Sequence, residues 1–165
     1  MTRIPARKFY MTSIPGIVDL LPHRAPMRLV EEIVELEPGV FARGRRIASA
    51  DDWYFRGHFP DDPVVPAIVL IELLAQTGGI AACSGADASV RSQRLRVAAF
   101  SAFKFPGAAR PGAVLEAAAR VAGRIGGLIK IEGEVTADGV RVAIGGVTLA
   151  EARSAEAGEA PTRTT

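Results

Sequence analysis

The run from Ala67 to Ala82, "AIVLIELLAQTGGIAA", constrains this chain more than any other stretch. It carries apolar residues on nearly every face and is too long for a typical strand, so it reads as a helix. A helix apolar all round has to be buried. Pro66 suits its N-terminus. The run holds a single carboxylate, Glu72, and a loop just ahead of it, "YFRGHFPDDPVV", holds His58, one of only two histidines in the chain.

What surrounds this helix is β-like. "RLVEEIVELEPG" and "VFARGRRIAS" read as two strands with a turn at Pro38-Gly39. Beyond the helix, "LRVAAFSAFKF", "VLEAAARVAG", "LIKIEGEV" and "VRVAIGGVTLAEA" read as four more. Ile129, Ile131 and Val135 alternate with Lys130, Glu132 and Glu134. Asp138-Gly139 is a strong hairpin signal. Before them, "SIPGIVDLLPHRAPM" has Ser13 and Pro15 at helix-start positions and Ile17, Leu20 and Leu21 at helical spacing, which predicts a helix of about two turns. The order is α+β, and an antiparallel sheet curled around one long central helix buries both apolar surfaces together. The 165 residues fit one domain, here 14–152, with an N-terminal extension at 1–13 and a disordered tail at 153–165 that lacks large apolar residues.

Composition excludes several classes. A net charge of +2 with 6% aromatic residues gives no basic, aromatic-rich patch for nucleic acid. No apolar stretch reaches membrane-spanning length. One cysteine, Cys83, allows no internal disulfide and reads as a small buried hydrophobe; a cytoplasmic setting is expected. The spacing of His23 and His58 offers no zinc signature.

A carboxylate in a buried helix must be paired, wetted or protonated. Burial raises a Glu pKa, which would make Glu72 a proton donor near neutral pH. His58 is the natural base. Gln76 lies on the face of Glu72 and can hydrogen-bond it. The N–H groups at Ala67 and Ile68, beside Pro66, could hold a carbonyl oxygen as it becomes enolate-like. Base, acid and oxyanion donor suit removal of a proton next to a thioester carbonyl. A bland alternative stands beside this: a lone loop His is commonly a turn residue, and a lone helical Glu is commonly at the surface.

"LPHRAPMRLV" followed by "GHFPDDPVVPAIVLIELLAQTGG" resembles the β-hydroxyacyl-acyl-carrier-protein dehydratases, a family with the hot-dog fold. The similarity runs from about Ile14 to Ala150. It implies that His58 and Glu72 are catalytic, from opposite chains of a homodimer that could assemble further into a trimer of dimers. It also implies that the substrate is a 3-hydroxyacyl group on the phosphopantetheine of acyl-carrier protein, with no metal or other cofactor. Gly57, Phe59 and Pro66 then shape the pocket and, with Ala67, Ile68 and Gln76, form the substrate-binding set. His23 falls in the Leu-Pro-His-Arg segment and reads as structural, bonding backbone in its turn. Arg91, Arg94, Arg96 and Lys104 read equally as a basic face for an acidic carrier protein and as a solvated basic strand end.

The chain departs from the family pattern at three places. Pro66-Ala67 replaces Pro-Gly, Pro111-Gly112-Ala113 replaces Pro-Gly-Asp, and Arg28-Leu29-Val30-Glu31 replaces Leu-Leu-Val-Asp. The Pro-Ala pair is also similar to dehydratase-like hot-dog proteins of polyketide and aryl-polyene pathways. A non-catalytic subunit of a heterodimer and an acyl thioesterase are the alternative functions.

Overall fold

A computed structural model of the chain describes residues 16–85 and 95–151. The extension at 1–13 and the tail at 153–165 lie outside the described residues. Six strands, β1 Glu32–Glu37, β2 Phe41–Ile47, β3 Leu95–Lys104, β4 Val114–Ile125, β5 Leu128–Ala137 and β6 Val140–Glu151, form one antiparallel sheet. Its order is β1-β2-β4-β5-β6-β3, and the one long helix, α1 Ala67–Cys83, packs against β2, β4, β5 and β6.

The sheet holds the helix because its inner face is small. Ala117 and Ala119 of β4 and Ala42 of β2 are fully buried beside Leu73, Leu74 and Ile80 of α1. Side chains press closely on the backbone at two glycines between helix and sheet. A Cβ on Gly44 would meet the Thr77 hydroxyl at 2.5 Å, and one on Gly78 would meet Ile131 at 2.6 Å. In β1 the alternation breaks at Val34, where the register with β2 shifts. That bulge lets Ile33 and Leu36, three residues apart, both face the core. The β5–β6 turn has positive φ at Asp138 (49°) and Gly139 (81°), the two-residue geometry its sequence announces.

Two expectations need correcting. The first helix is a single 3-10 turn, Ile17–Leu20, between Gly16 in the left-handed region and an extended Leu21. Four residues are too few to nucleate an α-helix. Nor is α1 buried all round: Ile68, in its first turn, is 72% exposed. The edge strand β3 is exposed along most of its length, with Val97 and Phe100 open to solvent.

Candidate active site

The loop that carries His58 is held by a buried charge cluster. Arg46 of β2, its side chain 6% exposed, places Nη2 2.5 Å from Asp52 Oδ2. The Tyr54 hydroxyl donates to the same oxygen at 2.7 Å. Burial, and then the bond to Asp52, push the Tyr54 phenol well above its ordinary range. A buried Arg demands such partners, because an unpaired charge there costs several kcal/mol. The 3-10 turn Trp53–Arg56 stands on this anchor and delivers Gly57 and His58.

His58 Nδ1 lies 3.1 Å from the Val64 carbonyl oxygen. A carbonyl only accepts, so Nδ1 carries the hydrogen and Nε2 is left with its lone pair. That is the protonation pattern of a general base. The ring leans on Phe59, centroids 4.1 Å apart, and Phe59 itself sits at φ 56°, a left-handed conformation unusual for an aromatic residue. The far side of the loop is tied to the segment after β3: Val65 N–H donates to Ala109 O at 2.8 Å. Pro111-Gly112-Ala113 completes the tie, since Gly112 N–H donates to Ala48 O and Ala48 N–H to Ala113 O.

Pro66 caps α1 without a side-chain hydrogen bond, and its carbonyl accepts from Val69 and Leu70. The N–H groups of Ala67 and Ile68 precede the first intrahelical bonds, as at any helix start. Ala67 is exposed, so its methyl group does not fill a packed site.

Glu72 sits one turn further on, with Oε1 2.9 Å from the Gln76 Nε2 donor. Gln76, 2% exposed, has no capacity left for a substrate. It also donates to Met27 O at 2.7 Å and accepts from Leu29 N–H at 2.8 Å and Val30 N–H at 3.4 Å. It stitches residues 27–30 to the helix and positions Glu72. His23 is the residue that sequence reasoning placed wrongly. Its Nε2 lies 3.4 Å from Glu72 Oε1, and it bonds no backbone group among the described residues. Its turn is closed by Arg24, whose Nη1 reaches Leu21 O and His23 O.

The electrostatics also differ from expectation. Burial does push Glu72 up, but His23 and Gln76 beside it outweigh burial, and the carboxyl is held below its ordinary value. Glu72 faces a cavity of about 420 Å³ floored by Ala75 and Gly79 and walled by Leu21, Leu95 and Leu149. His58 is not among its walls, so this cavity does not bring base and acid together. Arg96 lines this cavity, whereas Lys104 lines a separate groove on the outer sheet face. Arg91 and Arg94 lie outside the described residues. Cys83 is half-buried, and burial pushes its thiol up to about 11. Among the described residues no cluster of three His, Cys, Asp or Glu could hold a metal ion.

The FabA-like domain family matches residues 21–145, which include His23, the His58 loop, all of α1 and most of the sheet. The chain belongs to that family. Among FabA-like relatives, a Roseiflexus castenholzii protein named 3-hydroxyacyl-[acyl-carrier-protein] dehydratase FabZ is 34% identical over 143 residues, covering 85% of this chain and 96% of that one. A protein of the same name from Chloroflexus aggregans is 54% identical over 74 residues, a match that spans 45% of this chain and about half (51%) of the relative's length. Among solved structures, the dehydratase heterocomplex ApeI:P of Xenorhabdus doucetiae superposes with TM-score 0.66 at 22% identity, covering 83% of this chain and 91% of that one. The E. coli PaaI protein gives 0.54 at 16% identity, with 72% and 81% covered. These two show a shared fold.

Proposed function

We propose that this chain dehydrates 3-hydroxyacyl thioesters carried on acyl-carrier protein, giving the trans-2-enoyl thioester, as its FabZ-named relatives are named for doing. The observation that carries the reading is the 3.1 Å contact of His58 Nδ1 with the Val64 carbonyl oxygen, which favours the neutral tautomer with its hydrogen on Nδ1. Nδ1–H is committed to the Val64 carbonyl, so a bare Nε2 is available to take the proton from C2 of the substrate. The thioester oxygen gains charge as that proton leaves, and the N–H groups of Ala67 and Ile68 stabilise it. Glu72 gives its proton to the C3 hydroxyl. The C–O bond breaks, water departs, and the electron pair from C2 forms the C2=C3 double bond. No oxidation occurs overall, so the step calls on no redox cofactor. Ala75 and Gly79 leave room along α1 for the acyl group.

The working unit is a homodimer, in which His58 of one chain meets Glu72 of the other. Three features support this: His58 does not line the cavity that Glu72 faces, the edge strand β3 is open, and Ile68 and Phe100 stand exposed. No helix among the described residues is long and apolar enough to cross a membrane; the setting we propose is cytoplasmic.

Two observations favour a second reading, a non-catalytic subunit of a heterodimer: Ala67 stands where the resembling dehydratases have glycine, and the Xenorhabdus structure is a dehydratase heterocomplex. Purified protein should be incubated with a panel of 3-hydroxyacyl-carrier-protein thioesters and followed for both enoyl product and free thiol. Enoyl product without thiol release is expected. Thiol release would make it a thioesterase, and silence on the whole panel would favour the non-catalytic subunit.

A further inference from the structure

The turn that holds His23 is already closed without its ring. Arg24 answers the carbonyls of Leu21 and His23, and Gln76 answers Met27, Leu29 and Val30. The imidazole is therefore left for Glu72. Both polar side chains that approach the Glu72 carboxyl do so at one atom: Gln76 Nε2 and His23 Nε2 both lie against Oε1. Among the described residues, no hydrogen bond falls on Oε2. The other ring nitrogen of His23, Nδ1, is buried without a partner. Nδ1 is unpartnered in either neutral tautomer; what favours the hydrogen on Nε2 is the acceptor opposite it, the Glu72 carboxylate oxygen.

We infer that His23 is a positioning residue for the acid: with Gln76 it holds Glu72 by Oε1 and leaves Oε2 as the atom that carries the transferable proton into the cavity. A proton on Oε1 would face two incoming N–H groups, whereas one on Oε2 meets none. Which oxygen is loaded decides whether the acid points at a leaving hydroxyl or back into its own supports. At 3.4 Å the pair is in ion-pair contact and short of a hydrogen bond in the free chain, and the inference requires it to tighten when substrate closes the site. The inference rests on the dehydratase reading for its catalytic meaning, but the geometry of the His23–Glu72 pair can be tested without turnover. Arg96 of β3 is the other ionisable side chain on the walls of this cavity, so its charge is common to every comparison below.

Two variants separate positioning from packing. His23→Leu removes the donor and keeps bulk; His23→Gln keeps an N–H donor that does not titrate near neutrality. In His23→Leu, kcat should fall by roughly ten- to a hundredfold with KM little changed, a cost typical of a misplaced group. The limb of the kcat–pH profile that reports Glu72 should move to higher pH, since a donor that favours the carboxylate is gone. His23→Gln should recover much of kcat. Native kcat and an unmoved limb in His23→Leu would overturn the inference, as would equal losses in both variants accompanied by equal losses of melting temperature. Should the native protein dehydrate nothing, the dehydratase reading fails and the pair is decided by NMR. The ¹⁵N shifts of His23 in native protein should report hydrogen on Nε2 and a bare Nδ1, and the ¹³C titration of the Glu72 carboxyl should move up in His23→Leu. A bare Nε2 in native protein, or an unchanged Glu72 titration in His23→Leu, would overturn the inference by itself. If His23→Leu does not fold, the native ¹⁵N shifts and the His23→Gln titration carry the decision.

Discussion

The two residues proposed to do the chemistry are held in opposite ways. Glu72 belongs to a helix whose neighbours Leu73 and Leu74 are fully buried, and it is gripped by Gln76, itself bonded at four points. His58 belongs to a loop whose order depends on two tethers, the Arg46–Asp52–Tyr54 cluster at one end and the Ala109–Val65 bond at the other. The acid is placed by the core and the base by a few polar bonds. The comparison teaches that substitutions distant from both groups should harm the base more readily than the acid, because packing is spread over many contacts and a tether is not.

The largest effect belongs to the groups themselves. His58→Asn and Glu72→Gln should each fold and each lose at least about 10²-fold in turnover. If base and acid come from different chains, mixing the two inactive proteins under subunit exchange should restore part of the activity, because one site of each mixed dimer is intact. Verified mixed dimers with no activity would place both residues of a site on one chain.

The tethers come next. Asp52→Ala leaves Arg46 buried without its main partner and the Tyr54 hydroxyl without its acceptor. A loss of stability of about 3 kcal/mol is expected, the scale for breaking a buried charge pair. Thermal melting would read it. Turnover measured well below the melting point should also fall, since the His58 loop is freed. A stable Asp52→Ala protein with native turnover would break the contrast between tethered base and packed acid.

How far the sequence carried this picture depends on what each residue answers to. Helix α1 was legible because burial writes itself as a long run apolar on nearly every face, and the Asp138-Gly139 turn because positive φ selects residue types. Gly126-Gly127, with φ of 55° and 80°, carries the same kind of signal for the β4–β5 hairpin, and β4 runs to Ile125, two residues past the "VLEAAARVAG" segment. His58 and Glu72 were legible as chemistry. The place of His23 was not, because its contact with Glu72 joins residues 49 apart through a turn whose closure by Arg24 no local pattern announces. Gln76 was half-legible: its spacing gave the bond to Glu72, but its grip on residues 27–30 is a tertiary fact.

A smaller effect is expected at the helix start. Ala67 keeps its backbone N–H and is exposed, so its methyl reaches toward whatever approaches that end. Ala67→Gly should change the rate on the best substrate by no more than a few-fold and widen the range of acyl groups accepted, at a cost of under about 1 kcal/mol in helix propensity. If Ala67→Gly instead switches on a protein that is inert as isolated, the methyl blocks the carbonyl site and the heterodimer reading gains.

The smallest effect tests the state in which Glu72 is held. In the single chain its carboxyl lies below the ordinary 4.5: burial pushes it up, and His23 and Gln76 beside it outweigh burial. A depressed folded value means the ionised form is favoured by folding. The contribution to stability is present above pH 4.5 and is lost as the pH falls through the folded value. Glu72→Gln removes it, so native protein should lose stability more steeply than the variant below pH 4.5, with little difference in slope near neutrality. Chemical denaturation at a series of pH values would show this, and parallel curves would mean that the two donors do not grip the carboxylate. The same physics sets a condition on catalysis. A carboxyl held low is a poor proton donor, so the acid has to be raised when the site closes. Covering the cavity with a second chain and a substrate removes water from Glu72, which strengthens the one influence that already pushes it upward. The Glu72 carboxyl should therefore titrate higher in the dimer with a bound non-reactive acyl thioester than in dilute single chains, and no difference between the two would break the link between closure and acidity.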